Sequence, residues 1–419
     1  MSAVNVFNDG CHKTSFILKI NLILYDILTM PFVKKYSGHY TINNYIELVR
    51  GGKEYFLRLE QLINQAEHCI QMQVYIFVND STGSAIVEAL MRAAQRGITV
   101  LLMVDGYASQ NLPNAFIKKL RNAGIYFKFF EPLIRSRHFY FGRRMHQKVI
   151  VIDGRYAIVG GINIADRYND INDNSAWLDY ALIFEGEVAL QLHKHCLSYW
   201  KTESNPQIVI PFSDFAASIL PENKYSVRLR LNDWVKGKHE VWRSYFNLFS
   251  HAEDSITIMC SYFLPGIALR RQLVKAAKRG VQIKVILAGP SDVMLAKYAE
   301  RYLYDWMLLH NIEIYEYQPT ILHAKLATAD NHWMTIGSFN VNNISAYASS
   351  EINVDVRNRP FVSYVNKQLQ NIIENNCIRV TSKNFATNAT RFRRFVQKSS
   401  YEIIRIILNL STFYFKREN

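Results

Sequence analysis

Two stretches of this 419-residue chain follow the same order of elements, and that repetition restricts the fold more than any other feature. The first copy opens with IQMQVYIF and SAIVEALMRAAQRGITVLLMVDG; the second with ITIMCSYF and ALRRQLVKAAKRGVQIKVILAG. Each reads as a strand, a helix with an apolar stripe, an Arg-Gly turn and a β-rich strand. NAFIKKLRNAGIYFKFFEP and MHQKVIVIDGRYAIVGGINIADRY follow in the first copy. YLYDWMLLHNIEIYEYQP and LHAKLATADNHWMTIGSFNVNNISAY answer them in the second. Strand–helix alternation predicts an α/β fold of two halves related by a pseudo-twofold axis, each a mostly parallel mixed sheet flanked by helices.

The repeat sets the expected domains. An N-terminal amphipathic segment covers 1–44, a first α/β domain 45–203, a linker 204–236, a second domain 237–384 and a basic tail 385–419. From Arg391 the tail carries seven Lys or Arg against two Glu, interleaved with Phe, Tyr, Ile and Leu, which reads as a membrane-surface helix, with a charged helix docked on the protein as the alternative. The apolar stretch Phe16–Val33 is broken by Lys19, Asn21 and Asp26, so it is not expected to span a bilayer. No small-residue cleavage site follows it; lying flat in the headgroup region and packing on the body are both open to it.

A formal net charge of +14 points to a polyanionic partner, nucleic acid or anionic lipid. Five scattered cysteines without a CxxC pair suggest neither a zinc site nor a disulfide framework, and fit a reducing, cytoplasmic-side location.

The chemistry lies in a matched pair of motifs. His146-Gln-Lys148 is followed by four residues, Asp153, six residues, and Gly160-Gly161-Ile-Asn163. His323-Ala-Lys325 repeats that spacing to Asp330 and to Gly337-Ser338-Phe-Asn340, 177 residues later. One HxK is worthless as evidence, whereas two copies at identical spacing inside a duplicated chain are strong. His and Lys two apart on a strand share a face, so both reach one phosphate. Lys148 and Lys325 supply positive charge. Asn163, Asn340, Ser338 and the open backbone at Gly161 are assigned to the substrate phosphate. Asp153 and Asp330 complete the motif and are taken with its catalytic set, although their spacing and the Asp153-Gly154 pair suggest a mainly structural turn.

Two histidines facing each other suit phosphodiester transfer. One attacks phosphorus to form a phosphohistidine while the other protonates the leaving alkoxide and then deprotonates the incoming alcohol. The repeat does not say which attacks; His146 is taken as nucleophile and His323 as acid/base. Asp179 and Glu351, at similar places after their motifs, are expected to orient the imidazoles. No metal-ligand or nucleotide-binding motif is present, and this chemistry calls for no cofactor.

Both motifs match the HxKxxxxDxxxxxxG(G/S)xN signature, so the chain resembles the phospholipase D superfamily over roughly residues 45–375. Within it, SYFLPGIALRRQLVKAAKRGVQIKVILAG and the stretch from YEYQPTILHAKL through Glu351 are similar to bacterial cardiolipin synthases that lack long N-terminal transmembrane helices. The resemblance implies two domains with one shared site. It also implies transfer of a phosphatidyl group between phosphatidylglycerol molecules with release of glycerol, phosphatidylethanolamine being a further partner. Gly161 departs from the serine of many members. Arg135, Arg137, Arg143 and Arg144, interleaved with His138, Phe139, Tyr140 and Phe141, read as a loop for anionic headgroups on a membrane. A nuclease or other phosphodiesterase would use the same histidines, a phospholipase D-type hydrolase differs only in admitting water, and an inactive lipid-binding scaffold would not need both motifs intact.

Overall fold

The computed structural model describes residues 39–132, 143–171, 173–200, 224–342, 345–346, 349–387 and 390–415. The apolar stretch at 16–33, the loop 133–142 and most of the expected linker lie outside these residues.

The first half runs β1 (Asn44–Arg50), α1 (Lys53–Gln65), β2 (Cys69–Val74), α2 (Ser81–Gln95), β3 (Thr99–Asp105), α3 (Asn114–Asn122), β4 (Tyr126–Phe130), β5 (Arg144–Met145), β6 (Lys148–Ile152), β7 (Tyr156–Gly160), β8 (Tyr180–Gly186) and α4 (Glu187–Leu197). The second half opens with β9 (Ser226–Asp233), β10 (Lys238–His239), α5 (Glu240–His251), β11 (Ser255–Cys260), α6 (Ile267–Lys278), β12 (Gln282–Ala288), α7 (Met294–Tyr302) and α8 (Tyr304–Leu309). It continues with β13 (Ile312–Tyr317), β14 (Lys325–Ala329), β15 (Trp333–Gly337), β16 (Ser349–Arg357), α9 (Arg359–Asn376), β17 (Cys377–Val380), α10 (Ser382–Thr387) and α11 (Arg391–Phe415).

One sheet has the order β1-β8-β7-β6-β2-β3-β4, the other β10-β9-β16-β15-β14-β11-β12-β13-β17. Both are mixed: β2-β3-β4 and β11-β12-β13 run parallel, β5 adds a short parallel contact to β16, and the other neighbours are antiparallel. The expected parallel majority fails because the motif strands double back through tight turns at Asp153-Gly154 and Asp330-Asn331. A turn that short permits only antiparallel pairing. Residues 226–236, assigned to a linker from sequence, are instead part of the second half: β9 hydrogen-bonds along β16 from Ser226–Arg357 to Asn232–Glu351.

Strand alternation sorts the core. On β6, Ile150 and Ile152 face α1, α2 and α3, while Val149 and Val151 face the opposite sheet. There they join Leu326, Met334, Ile336, Ile352 and Val354 in a core shared by both halves, closed by α4 and α9. Burying a residue of this size contributes about 1.5–3 kcal/mol, so the shared core holds the two halves at a fixed register. That register builds the site.

Candidate active site

Two short parallel contacts tie the halves together at equivalent positions. Met145 pairs with Ser350, and Leu322 bridges Leu178. The next residue on each of the four strands carries the chemistry. His146 therefore faces Glu351, and His323 faces Asp179.

His146 Nδ1 lies 2.9 and 3.0 Å from the two Glu351 oxygens, and His323 Nδ1 lies 2.6 Å from Asp179 Oδ2. The sequence singled out both carboxylates as companions of the motif in their own half. The structure crosses the pairs, so each imidazole is held by a carboxylate from the other half. Both carboxylates are fully buried and both Nδ1 atoms are engaged, which leaves the Nε2 atoms for chemistry.

The lysines lie beside them. Lys148 Nζ donates to the His146 carbonyl at 2.8 Å and sits 5.0 Å over the Tyr75 ring. Lys325 Nζ donates to Ser261 Oγ at 3.1 Å and to the His323 carbonyl, and approaches His323 Nδ1 at 3.2 Å. Both lysine charges lower the buried histidines, and Lys325 also lowers Lys148. Burial, followed by the charge of Lys325, brings Lys148 down to about 7, and burial lowers Lys325 as well. Burial and Lys325 hold His323 at about 3; burial also lowers His146, against the pull of Glu351. A site that penalises its own positive charge is built for an anion that relieves the penalty.

Several residues assigned to the phosphate do other work. Ser338 Oγ donates to Glu351 Oε2 and accepts from the Ile352 amide at 3.0 Å, so it holds the orienting carboxylate. A Cβ at Gly161 would stand 2.4 and 2.5 Å from the Asp179 oxygens. Glycine there makes room for the shorter carboxylate; at the matching position serine anchors the longer one. Asn163 Oδ1 accepts from the Ile76 amide at 3.1 Å and its Nδ2 donates to Tyr168 Oη at 2.9 Å. Among the described residues, the Asn340 side chain meets Cys260, its Oδ1 accepting from Sγ at 3.8 Å, which leaves its amide hydrogens to reach a ligand.

Asp153 and Asp330, taken with the catalytic set from sequence, are engaged elsewhere. Each stands at the far end of its motif strand, about 16 Å of strand from the histidine end, with φ of 55° and 50°. Asp153 accepts from the amides of Glu67, His68 and Cys69 at 2.8–2.9 Å. Asp330 accepts from those of Glu253, Asp254 and Ser255 at 2.8–3.1 Å. These are turn-locking carboxylates. Arg143, placed by sequence in a headgroup-binding run, is buried between Glu131 (2.7 Å) and Asp233 (2.8 Å).

Sequence reasoning missed the aromatic wall. Tyr75 packs edge-on against His146, with ring centroids 4.7 Å apart; Tyr168 and Trp177 pack against His323 at 5.2 and 6.0 Å. Tyr168 Oη also lies 3.4 Å from His323 Nε2. The one available signal was that Tyr168, five residues after Asn163, is matched by Ser345 after Asn340.

Paired imidazoles held through Nδ1, crossed carboxylates and buried lysines are the groups of a phosphodiester-transfer site of the phospholipase D kind. A family model described as "Cardiolipin synthase, PLD-like domain" matches residues 59–200 and 245–373, and the chain belongs to that family within the phospholipase D superfamily. It is 32% identical over 354 residues to cardiolipin synthase B of Salmonella typhi, covering 80% of this chain and 82% of that relative. It is 31% identical over 340 residues to cardiolipin synthase B of Escherichia coli K12, with the same coverage. A probable cardiolipin synthase of Bacillus subtilis, YwiE, is 28% identical over 76% of this chain and 64% of its own length. In fold, the chain is similar to the crystal structure of phosphatidylserine synthase from Haemophilus influenzae, with a TM-score of 0.71 at 15% identity over 90% of this chain and 97% of that one.

Proposed function

We propose that the protein is a cardiolipin synthase, moving a phosphatidyl group from one phosphatidylglycerol to another at the cytoplasmic face of a bacterial membrane. The observation that carries this reading is the crossed His–carboxylate pairing, which makes one site from both halves and leaves two Nε2 atoms facing one substrate.

His146 is the nucleophile. Its Nδ1 proton is held by Glu351, and its Nε2 attacks phosphorus while the P–O bond to the headgroup glycerol breaks. His323 Nε2 gives its proton to the departing alkoxide. Without substrate, burial and then the Lys325 charge keep His323 neutral. A phosphodiester anion between Lys148 and Lys325 offsets that field, so His323 takes up its proton as substrate arrives. Lys148, Lys325 and the Asn340 amide face the charge on the non-bridging oxygens. Glycerol leaves, and a hydroxyl of the second phosphatidylglycerol takes its place. His323 removes the hydroxyl proton, the alkoxide oxygen bonds to phosphorus, and the P–N bond to His146 breaks. Cardiolipin results, and both histidines return to their starting state.

Purified protein with phosphatidylglycerol vesicles, without nucleotide or added metal, tests this by mass spectrometry. Cardiolipin plus glycerol from the wild type, but from neither His146→Ala nor His323→Ala, is the expected result. Phosphatidic acid alone would make it a hydrolase. No turnover, with or without phosphatidylethanolamine, would overturn the lipid reading and bring nucleic-acid diesters forward.

A further inference from the structure

The two halves differ where their helices begin. Both α6 and α7 start just beyond the C-terminal ends of parallel strands, on the edge of the sheet that carries the site. Ser261, which receives the Lys325 ammonium, precedes Tyr262, and the Tyr262 hydroxyl donates to Asp292 at 2.6 Å. Val293, Met294 and Leu295 follow directly. These three side chains stand open to solvent, Met294 at 53% exposure, as does Ile267 at the start of α6, at 55%. The matching helices of the first half begin with polar residues: Asp80 caps α2 through the Gly83 amide ahead of Ser81, and α3 begins at Asn114. Exposed apolar residues at a site rim cost solubility, so their clustering at the first turns of α6 and α7 favours a covering partner.

The C-terminal helix extends this apolar character. α11 packs along α7, with Tyr401 against Tyr302 at 4.9 Å between ring centroids. Helical spacing divides its surface into three stripes. Gln397, Ser400, Tyr401 and Ile404 face the body. Phe392, Phe395, Ile403 and Ile406 point to solvent, the two phenylalanines at 74% and 67% exposure. Arg391, Arg394, Lys398 and Arg405 form the third stripe, and between 391 and 407 the only acidic residue is Glu402. A docked helix ordinarily has one apolar face; this one has a second, bordered by cations.

We propose that the outward apolar stripe of α11, together with the apolar first turns of α6 and α7, is the surface by which the enzyme docks on an anionic lipid bilayer, setting the rim of its site against the headgroups. The choice of lipid rests on the phosphatidyl-transfer reading. The chemistry of the surface is that of an interfacial helix, with apolar side chains entering the acyl boundary and cations lying along anionic headgroups.

Flotation of the full chain tests this, because it reads binding without turnover. The wild type floats with mixed phosphatidylglycerol–phosphatidylcholine vesicles and less with phosphatidylcholine alone. Phe392→Ser/Phe395→Ser/Ile406→Ser lowers partitioning about tenfold or more with an unchanged circular dichroism spectrum. Should that variant misfold, Phe395→Cys bearing a polarity-sensitive fluorophore keeps the question open to refutation: its emission shifts to the blue when the mixed vesicles are added. A folded serine variant that floats like the wild type, or a label whose emission does not move, overturns the proposal. So does a lipid-free protein that sediments as a dimer and becomes a monomer in the serine variant, since the stripe would then be a contact between copies. Intact flotation without cardiolipin formation would sink the transfer reading alone.

Discussion

The half carrying His146 and the half carrying His323 place their catalytic groups in matching registers and surround them differently. Met145–Ser350 and Leu322–Leu178 are the same contact made twice, so each half orients the histidine of the other. Around that shared geometry the details diverge. His146 lies against Tyr75 and has a carboxylate braced by Ser338; His323 lies against Tyr168 and Trp177, with a shorter carboxylate admitted by Gly161. Symmetry is retained where both histidines must meet one phosphorus. On the proposed mechanism it is lost where one histidine attacks and the other handles protons.

The largest effect that breaks the symmetry is expected from the histidines. Both His146→Ala and His323→Ala lower phosphatidyl transfer by about 10³-fold or more. With a p-nitrophenyl phosphodiester, whose leaving group needs no proton, His323→Ala recovers a burst of p-nitrophenol and His146→Ala does not. The opposite pattern would exchange the two roles.

The carboxylate supports come next. Gly161→Ala drives a methyl group into Asp179 and displaces His323, for a loss in kcat of about 10²-fold. Ser338→Ala removes one hydrogen bond from Glu351, for about 1.4 kcal/mol or tenfold. Equal losses in steady-state assays would show that the two braces are interchangeable.

The lysines give a smaller, pH-dependent contrast. Lys148, brought from its ordinary 10.5 to about 7 by burial and Lys325, is charged below 7 and loses its proton as pH rises through that value. Dimethyl phosphate stays a monoanion across this range. As a competitive inhibitor it should bind best below pH 7 and weaken above it, with each tenfold in Ki corresponding to about 1.4 kcal/mol. Lys148→Met should bind it weakly at every pH and flatten the profile. A profile in Lys148→Met as steep as that of the wild type would assign the titration to another group. The same depression acts on folding. Stability from Lys148 is full above 10.5 and falls as pH drops toward 7, because the unfolded chain takes up a proton that the buried amine resists.

Local pattern made much of this legible. The duplicated strand–helix order announced two α/β halves, and the HxK spacing named both histidines and both lysines. Asp179 and Glu351 stood out by their matching positions. What local pattern does not contain is register between distant strands. The crossing of Asp179 to His323 and Glu351 to His146 depends on contacts 144 and 205 residues apart in sequence. For the same reason Ser338 and Gly161 looked like phosphate ligands, being motif residues near a glycine, until the carboxylates they serve were in place. Arg143 looked like a membrane contact because its partners Glu131 and Asp233 lie 12 and 90 residues away.

The motif aspartates give the smallest effect on catalysis and the sharpest test of what the motif is for. Each locks its turn by accepting three backbone amides, and an amide left without its acceptor costs about 1–3 kcal/mol when buried. Asp153 is buried and receives Cys69 in a fully buried contact, whereas two of the three donors to Asp330 are exposed. Asp153→Ala should therefore lower unfolding stability by roughly 2–3 kcal/mol and Asp330→Ala by roughly 1 kcal/mol, read from denaturant midpoints. Both should leave kcat near the wild-type value in the folded population, since neither carboxylate approaches an imidazole. A fall in kcat as large as that of Gly161→Ala, at unchanged stability, would return these aspartates to the chemistry. The expected outcome separates the motif into a catalytic end and a folding end joined by one strand. The His-to-Asp spacing then recurs in both halves because it measures that strand.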